Sequence, residues 1–223
     1  MMIAKTCTSS VGVITERADF YSDFRTCAAA AESYSTRRYS YDEITSAFCD
    51  FPDLVVCDLV TSADEALPAV FRLAGSPRIS AIVYLIDQRS PRSTQSWLQI
   101  LCRIGAQACF TSDTDPAVLL DAFDRMAAGQ TVIDSGLRSD FDWPVGPEVC
   151  SADIDGPLSD LTIRQIEILT LIAAGFSVRQ VAGRLHLSTR TVESHKYQMM
   201  KTLGCSCVVE LCRFAIRHGL IVP

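Results

Sequence analysis

Lysine is scarce. Only Lys5, Lys196 and Lys201 occur in 223 residues, and the only histidines are His186, His195 and His218. Long apolar runs are missing too: no stretch approaches the roughly 18 uninterrupted apolar residues of a membrane helix. The opening Met1-Met2-Ile3-Ala4-Lys5-Thr6-Cys7 has no apolar core of a signal peptide, so secretion is not indicated and a cytoplasmic place is expected. The 10 cysteines include no Cys-x-x-Cys pair; the tightest group is Cys205-Ser206-Cys207 with Cys212 five residues on. That spacing is poor for zinc. Cys57 and Cys102 sit inside apolar runs, so the set reads mainly as small buried hydrophobes in a reducing compartment, with a thiol switch as the lesser alternative. No nucleophile–base pair, metal cluster or phosphate-cradling glycine loop is legible, so an enzyme is the least favoured class and no cofactor is expected.

What is present is a chain 48% hydrophobic and 21% charged, apolar enough to bury a core. Its net charge of −6 is unevenly spread: residues 1–155 carry −10, and residues 156–223 carry +4 together with all three histidines. An acidic body with a basic end suggests that only the end meets a polyanion. Residues 129–157 are rich in glycine, proline and aspartate and lack periodicity, which reads mostly as linker, with Phe141 and Trp143 available to anchor it. The expected division is a first domain over 1–130, a linker over 131–157 and a second domain over 158–223.

In the first domain, Val11-Gly12-Val13-Ile14, Leu54-Val55-Val56-Cys57, Ala81-Ile82-Val83-Tyr84-Leu85-Ile86 and Ala108-Cys109-Phe110 are short, β-branched, unalternating runs. They suit strands buried on both faces of a parallel sheet. Helical patterns lie between them. The clearest covers 115–128, with Asp115 as cap, Pro116 in the first turn, Gly129 just past the end, and Val118, Leu119, Ala122, Phe123 and Met126 on one stripe. Alternating strands and helices predict a doubly wound α/β domain.

The second domain is helical throughout. Leu161, Ile166, Leu169 and Ile172 recur at helical spacing before Gly175 breaks the run. Ser177-Val178-Arg179-Gln180 reads as a capping box opening a second helix with Val181, Ala182 and Leu185 on its apolar face. Ser188 caps a third helix, and a fourth runs over about 208–218 before Gly219. Two short helices joined by a tight turn make a helix-turn-helix. At about 100° per residue, Val192, His195, Met199 and Leu203 fall on one side of the third helix and Arg190, Glu193, Ser194, Tyr197 and Lys201 on the other. The second set is free to enter a major groove, although ordinary amphipathic surface helices share this geometry. There Arg190 and Lys201 would reach phosphates, and Glu193, Ser194 and Tyr197 would reach base edges.

Leu161-Thr162-Ile163-Arg164-Gln165-Ile166-Glu167-Ile168-Leu169, Ile172-Ala173-x-Gly175-x-Ser177, Val181-Ala182-x-x-Leu185-x-Leu187-Ser188-x-x-Thr191-Val192-x-x-His195 and Lys201-x-Leu203-Gly204 together closely resemble the DNA-binding domain of the LuxR/NarL family over some 60 residues. The resemblance implies an all-α four-helix domain whose third helix lies in the major groove of double-stranded DNA and whose fourth mediates homodimerisation. It implies base reading by Glu193, Ser194 and Tyr197, and backbone contacts by Thr162, Ser177, Ser188, Thr189, Thr191, Lys196 and Lys201. His195 matches the family histidine, and a packing role is expected for it. The chain departs from the family at Gln165 (usually Glu), Val178 (usually Asn) and Thr202 (usually basic).

Pro52-Asp53-Leu54-Val55-Val56-Cys57-Asp58-Leu59 resembles the strand that carries the phospho-acceptor aspartate of response-regulator receivers, a flavodoxin-like fold, and the segments around Gly105-Ala106, Thr114-Asp115-Pro116 and Ala127-Ala128-Gly129-Gln130 resemble the last strand and helix of that family. The whole chain therefore looks like a NarL-type response regulator. Its phosphorylation site departs from the pattern. The acid pair maps to Thr15-Glu16, the hydroxyl position to Leu85, and the lysine position to Ser112; no lysine is near in sequence. Asp58 remains as a vestigial acceptor, with Arg89 or Arg92 available to replace the lost cation. Arg37-Arg38-Tyr39 and Arg89-x-x-Arg92 carry charge enough to hold an anion, though solvated surface charge is the plainer reading. A degenerate receiver is expected, with a small ligand, a protein partner or constitutive dimerisation in place of the phosphate. The alternatives are a conventional phosphorylation-dependent regulator and a protein-interaction module built on the receiver-like domain.

Overall fold

The computed structural model describes residues 9–45, 52–60, 63–88, 91–140 and 158–221. Its first domain is a six-stranded, all-parallel sheet of order β2-β1-β3-β4-β5-β6, formed by β1 (Ser9–Ile14), β2 (Tyr34–Tyr39), β3 (Leu54–Asp58), β4 (Ala81–Ile86), β5 (Ala108–Thr111) and β6 (Val132–Ile133). The connections run through α1 (Ala18–Ala30), α2 (Tyr41–Thr45), α3 (Ala63–Ala74), α4 (Pro91–Arg103) and α5 (Pro116–Ala127), and α6 (Ser135–Asp140) follows β6. Parallel strands need such crossovers, and helices on both faces bury the sheet twice. Val11, Val13, Val56, Val83, Leu85 and Phe110 meet Phe24, Leu119 and Phe123 of α1 and α5 on one face. Ile14, Val55, Cys57, Tyr84, Ile86 and Cys109 meet Leu67, Val70, Leu98 and Leu101 of α3 and α4 on the other. Burial pushes the thiols of Cys57 and Cys109 well up, as befits cysteines acting as small apolar side chains.

The four strands expected from apolar runs are present. Two more were not legible. β2, Tyr-Ser-Thr-Arg-Arg-Tyr, is an edge strand with polar residues on its open positions, and β6 has only two residues. Residues 132–140 are therefore not linker: Val132 and Ile133 pair in parallel with Ala108 and Cys109, and α6 follows. An apolar pair just after a glycine-closed helix is too short to show a period. The rest of the expected linker, with Phe141 and Trp143, lies outside the described residues. The helix expected over 115–128 is α5, with the Asp115 carboxylate accepting from the Ala117 amide at 2.8 Å and Gly129 at φ +79 beyond its end. One stripe residue needs correcting: Val118 is 46% exposed, and Leu120 is buried in its place.

The second domain consists of α7 (Ile163–Ala173), α8 (Val178–Arg184), α9 (Thr189–Thr202) and α10 (Val208–Arg217). Ile166, Leu169, Val181, Val192, Met199, Leu211 and Ala215 form its core. Helices this short are marginal alone, so packing of their apolar faces supplies most of their stability. The two domains touch. The Ser96 hydroxyl of α4 donates to the His218 carbonyl, and the Arg103 guanidinium donates to the carbonyls of Leu158 at 2.9 Å and Leu161 at 2.5 Å. α7 also lies against α3. Among the described residues no helix is long and apolar enough to cross a membrane.

Candidate nucleic-acid interface and acid pocket

Helix N-termini leave four backbone N–H groups without intrahelical partners, and the helical domain meets that cost with side chains. Thr162 accepts from the Gln165 amide at 3.2 Å while Gln165 Oε1 accepts from the Thr162 amide at 2.7 Å. Glutamine thus completes the capping box at the position where the resembled family favours glutamate. Ser177 and Gln180 repeat the arrangement on α8, at 3.4 Å and 2.9 Å. Ser188 accepts from the Thr191 amide at 3.0 Å, and the Ser188 and Thr191 hydroxyls lie 2.8 Å apart. The turn between α8 and α9 carries His186 in the left-handed region, at φ 52. These caps set where α9 begins and which face it buries.

That face is the expected one. Val192 and Met199 are fully buried and His195 and Leu203 half-buried. The His195 Nδ1 is itself shielded, with no hydrogen-bond partner among the described residues, which fits packing. On the opposite side Thr189, Arg190, Glu193, Ser194, Tyr197 and Lys201 are exposed, Tyr197 to 71%. The structure adds local detail that periodicity does not carry. Glu193 is ion-paired with Lys196 at 2.5 Å, so its carboxylate is already partnered before any base is met. The Ser194 hydroxyl donates to the Arg190 carbonyl at 3.0 Å, leaving its oxygen as an acceptor. Gln198, not singled out from the sequence, is exposed one turn beyond Ser194 and adds an amide near that face. Thr162 and Ser177 stand exposed at the starts of their helices. On α7, Arg164 pairs with the buried Glu167, whose carboxyl is pushed up by burial and held back in part by that arginine.

The sites expected in the first domain converge at the C-terminal ends of β1, β3 and β5. Asp58 ends β3 and is only 2% exposed. Thr15 donates its hydroxyl to Asp58 Oδ2 at 2.7 Å, and Leu85, fully buried, is in register with Asp58 on β4. Glu16 is exposed, and Ser112 contributes a carbonyl. The cation is Arg17, from the loop after β1. Its Nε donates to Asp58 Oδ2 at 2.7 Å and its Nη1 to the Ser112 carbonyl at 3.0 Å. The expectation that Arg89 or Arg92 would serve is corrected to that extent; Arg89 and the side chain of Arg92 lie outside the described residues. The available signal was the position of Arg17, two residues after Thr15 in a chain almost without lysine. Arg38 is likewise engaged, donating to the carbonyls of Thr15 at 3.0 Å and Glu16 at 2.8 Å, and Arg37 lies over the Tyr39 ring at 5.0 Å. Arg38 is thereby committed to the backbone, and Arg37 is exposed, as the reading of solvated surface charge expects.

A parallel doubly wound domain followed by a capped helix-turn-helix with an exposed polar third helix is the architecture of two-domain response regulators. Comparison with known proteins agrees. Residues 159–215 match the family described as bacterial regulatory proteins, luxR family. The oxygen regulatory protein NreC of Staphylococcus aureus is 27% identical over 173 residues, covering 76% of this chain and 78% of that protein. The response regulator GacA of Pseudomonas aeruginosa is 26% identical over 171 residues, 76% of each. The fold matches that of the Salmonella typhimurium response regulator RcsB at a TM-score of 0.58 and 16% identity, over 96% of this chain and 99% of that one. RcsB bound to promoter P1flhDC with the phosphomimetic BeF3- matches at 0.56 and 16% identity, over 93% and 98%. Residues 159–215 thus match the luxR family, and the chain as a whole is similar to these response regulators.

Proposed function

We propose that the protein is a transcriptional regulator that binds double-stranded DNA in a sequence-specific way as a homodimer, through α9, and that its receiver-like domain is regulated independently of aspartyl phosphorylation. The observation that carries the reading is the bare polar face of α9 on a fully packed apolar back. Glu193, Ser194 and Tyr197 read base edges. Arg190, Lys196, Lys201, Thr189, Thr191 and the capped starts at Thr162, Ser177 and Ser188 hold phosphates, helped by the positive ends of their helices. RcsB, solved on promoter DNA, supports this use of the shared fold. On α10, Val208, Val209 and Ile216 stay exposed, apolar surface suited to a second copy. Independence from phosphorylation is supported by Leu85 in place of a hydroxyl, Thr15 in place of a carboxylate, and an arginine on Asp58. A small ligand or protein partner at the receiver-like domain, or constitutive dimerisation, then takes the place of the phosphate.

Sedimentation of the purified chain with and without acetyl phosphate and Mg2+, followed by selection of bound duplexes from a random pool, tests this. A dimer enriching the same palindrome in both conditions is the expected result; absence of enrichment, or enrichment only with acetyl phosphate, overturns it. Lys201→Ala is expected to weaken binding on all sequences alike and to flatten the dependence of log K on log salt by about one unit, which titrations at several salt concentrations read directly.

A further inference from the structure

The geometry points to Arg17 as a built-in counter-ion that locks the acid pocket shut. This rests on the reading that the domain works without aspartyl phosphorylation, and it names the device responsible. A buried carboxylate is costly unless paired and hydrogen-bonded. Asp58 is met from two sides at one oxygen: Thr15 Oγ1 and Arg17 Nε both donate to Oδ2, each at 2.7 Å. The loop is braced around this contact. The Arg17 amide donates to Thr15 Oγ1 at 3.0 Å, and its guanidinium lies 4.7 Å from the centre of the Phe20 ring. Arg38 fixes the same loop through the carbonyls of Thr15 and Glu16. Tyr41 donates its hydroxyl to the Asp58 carbonyl, holding the end of β3 from the other face.

Two consequences follow from the chemistry. A guanidinium is charged at every accessible pH and cannot diffuse away, so neutralisation of Asp58 is permanent, unlike that by an exchangeable metal ion. Through Nη1 on the Ser112 carbonyl, the same side chain also ties β1 and β3 to the end of β5, so three strand ends are held in one arrangement. The remaining polar atoms, Asp58 Oδ1 and Arg17 Nη2, are buried without hydrogen-bond partners among the described residues. Asp58 at 2% exposure offers no oxygen to a phosphoryl donor, while the Arg17 side chain, 30% exposed, is its solvent-side partner.

The test is a double-mutant cycle in the full chain with Arg17→Ala, Asp58→Asn and both together, read by thermal melting. Acylphosphate formation with acetyl phosphate and Mg2+ is measured in parallel by mass spectrometry. Arg17→Ala strands a buried carboxylate and is expected to lower the melting midpoint by about 5 °C or more. Asp58→Asn keeps an acceptor for Thr15 and Arg17 and is expected to change it little. The double variant, with no charge to neutralise, is expected to melt near Asp58→Asn. A double variant as unstable as Arg17→Ala would assign Arg17 a space-filling role and overturn the inference. Should Arg17→Ala not accumulate folded, the double variant decides alone: a midpoint near that of Asp58→Asn supports the lock, and failure to fold overturns it. The phosphate arm separates the two claims. A wild-type chain that acquires a phosphoryl group on Asp58 refutes both phosphorylation independence and the lock. An unmodified wild type with an additive cycle leaves independence standing and removes only Arg17.

Discussion

Replacing Tyr197 with alanine is expected to lower affinity for a selected operator by about 5- to 150-fold, the range spanned by a lost base contact of roughly 1–3 kcal/mol, while random duplex is held far less weakened. The asymmetry follows from placement. Tyr197 is 71% exposed and on the same face as Glu193 and Ser194, within the set proposed to read base edges, and being uncharged it adds nothing to the salt-dependent attraction that holds random duplex. Its exposure also predicts an unchanged melting midpoint, since surface substitutions usually stay within about 0.5 kcal/mol. Titrations of operator and random duplex at one salt concentration decide the matter, and equal losses on both would take Tyr197 out of base reading.

Leu169→Ala has the opposite signature. Leu169 is wholly buried in α7, the helix against which α8, α9 and α10 pack. Removing its side chain costs the transfer free energy and leaves a cavity, about 2–5 kcal/mol together. That is a large share of the roughly 5–15 kcal/mol by which domains are stable. Binding to operator and to random DNA is expected to fall together, because α9 is no longer held in place. Denaturant titration followed by circular dichroism checks it: a loss below about 1 kcal/mol would show that the core repacks around the gap.

The helical domain was legible because each of its signals is local. Thr162, Ser177 and Ser188 each lie three residues from the group they cap, and the apolar stripe of α9 obeys one period. The edge of the sheet was not legible for the complementary reason. β2 takes its definition from pairing with β1, residue by residue from Ser9 with Tyr34 to Ile14 with Tyr39, and its own residues alternate in exposure like any solvated segment. β6 exists only because Ala108 and Cys109 have an open side. Arg17 illustrates the limit most clearly. Its partners Asp58 and Ser112 are 41 and 95 residues away in sequence, and what joins them is the order of the strands. The altered pocket could be read from missing residue types, but which residue fills it could not.

The bonds between the two domains have a further consequence for how this chain can change over evolutionary time. From α4, Ser96 and Arg103 supply side-chain donors, while the acceptors at Leu158, Leu161 and His218 are main-chain carbonyls. A carbonyl survives any replacement of its own side chain. The helical domain can therefore drift at those three positions without shedding these hydrogen bonds, whereas loss of the Ser96 hydroxyl or the Arg103 guanidinium abolishes its share. Inheritance of these hydrogen bonds is thus one-sided, written on α4 and merely accepted by the domain it holds, while the packing of α7 on α3 depends on side chains from both.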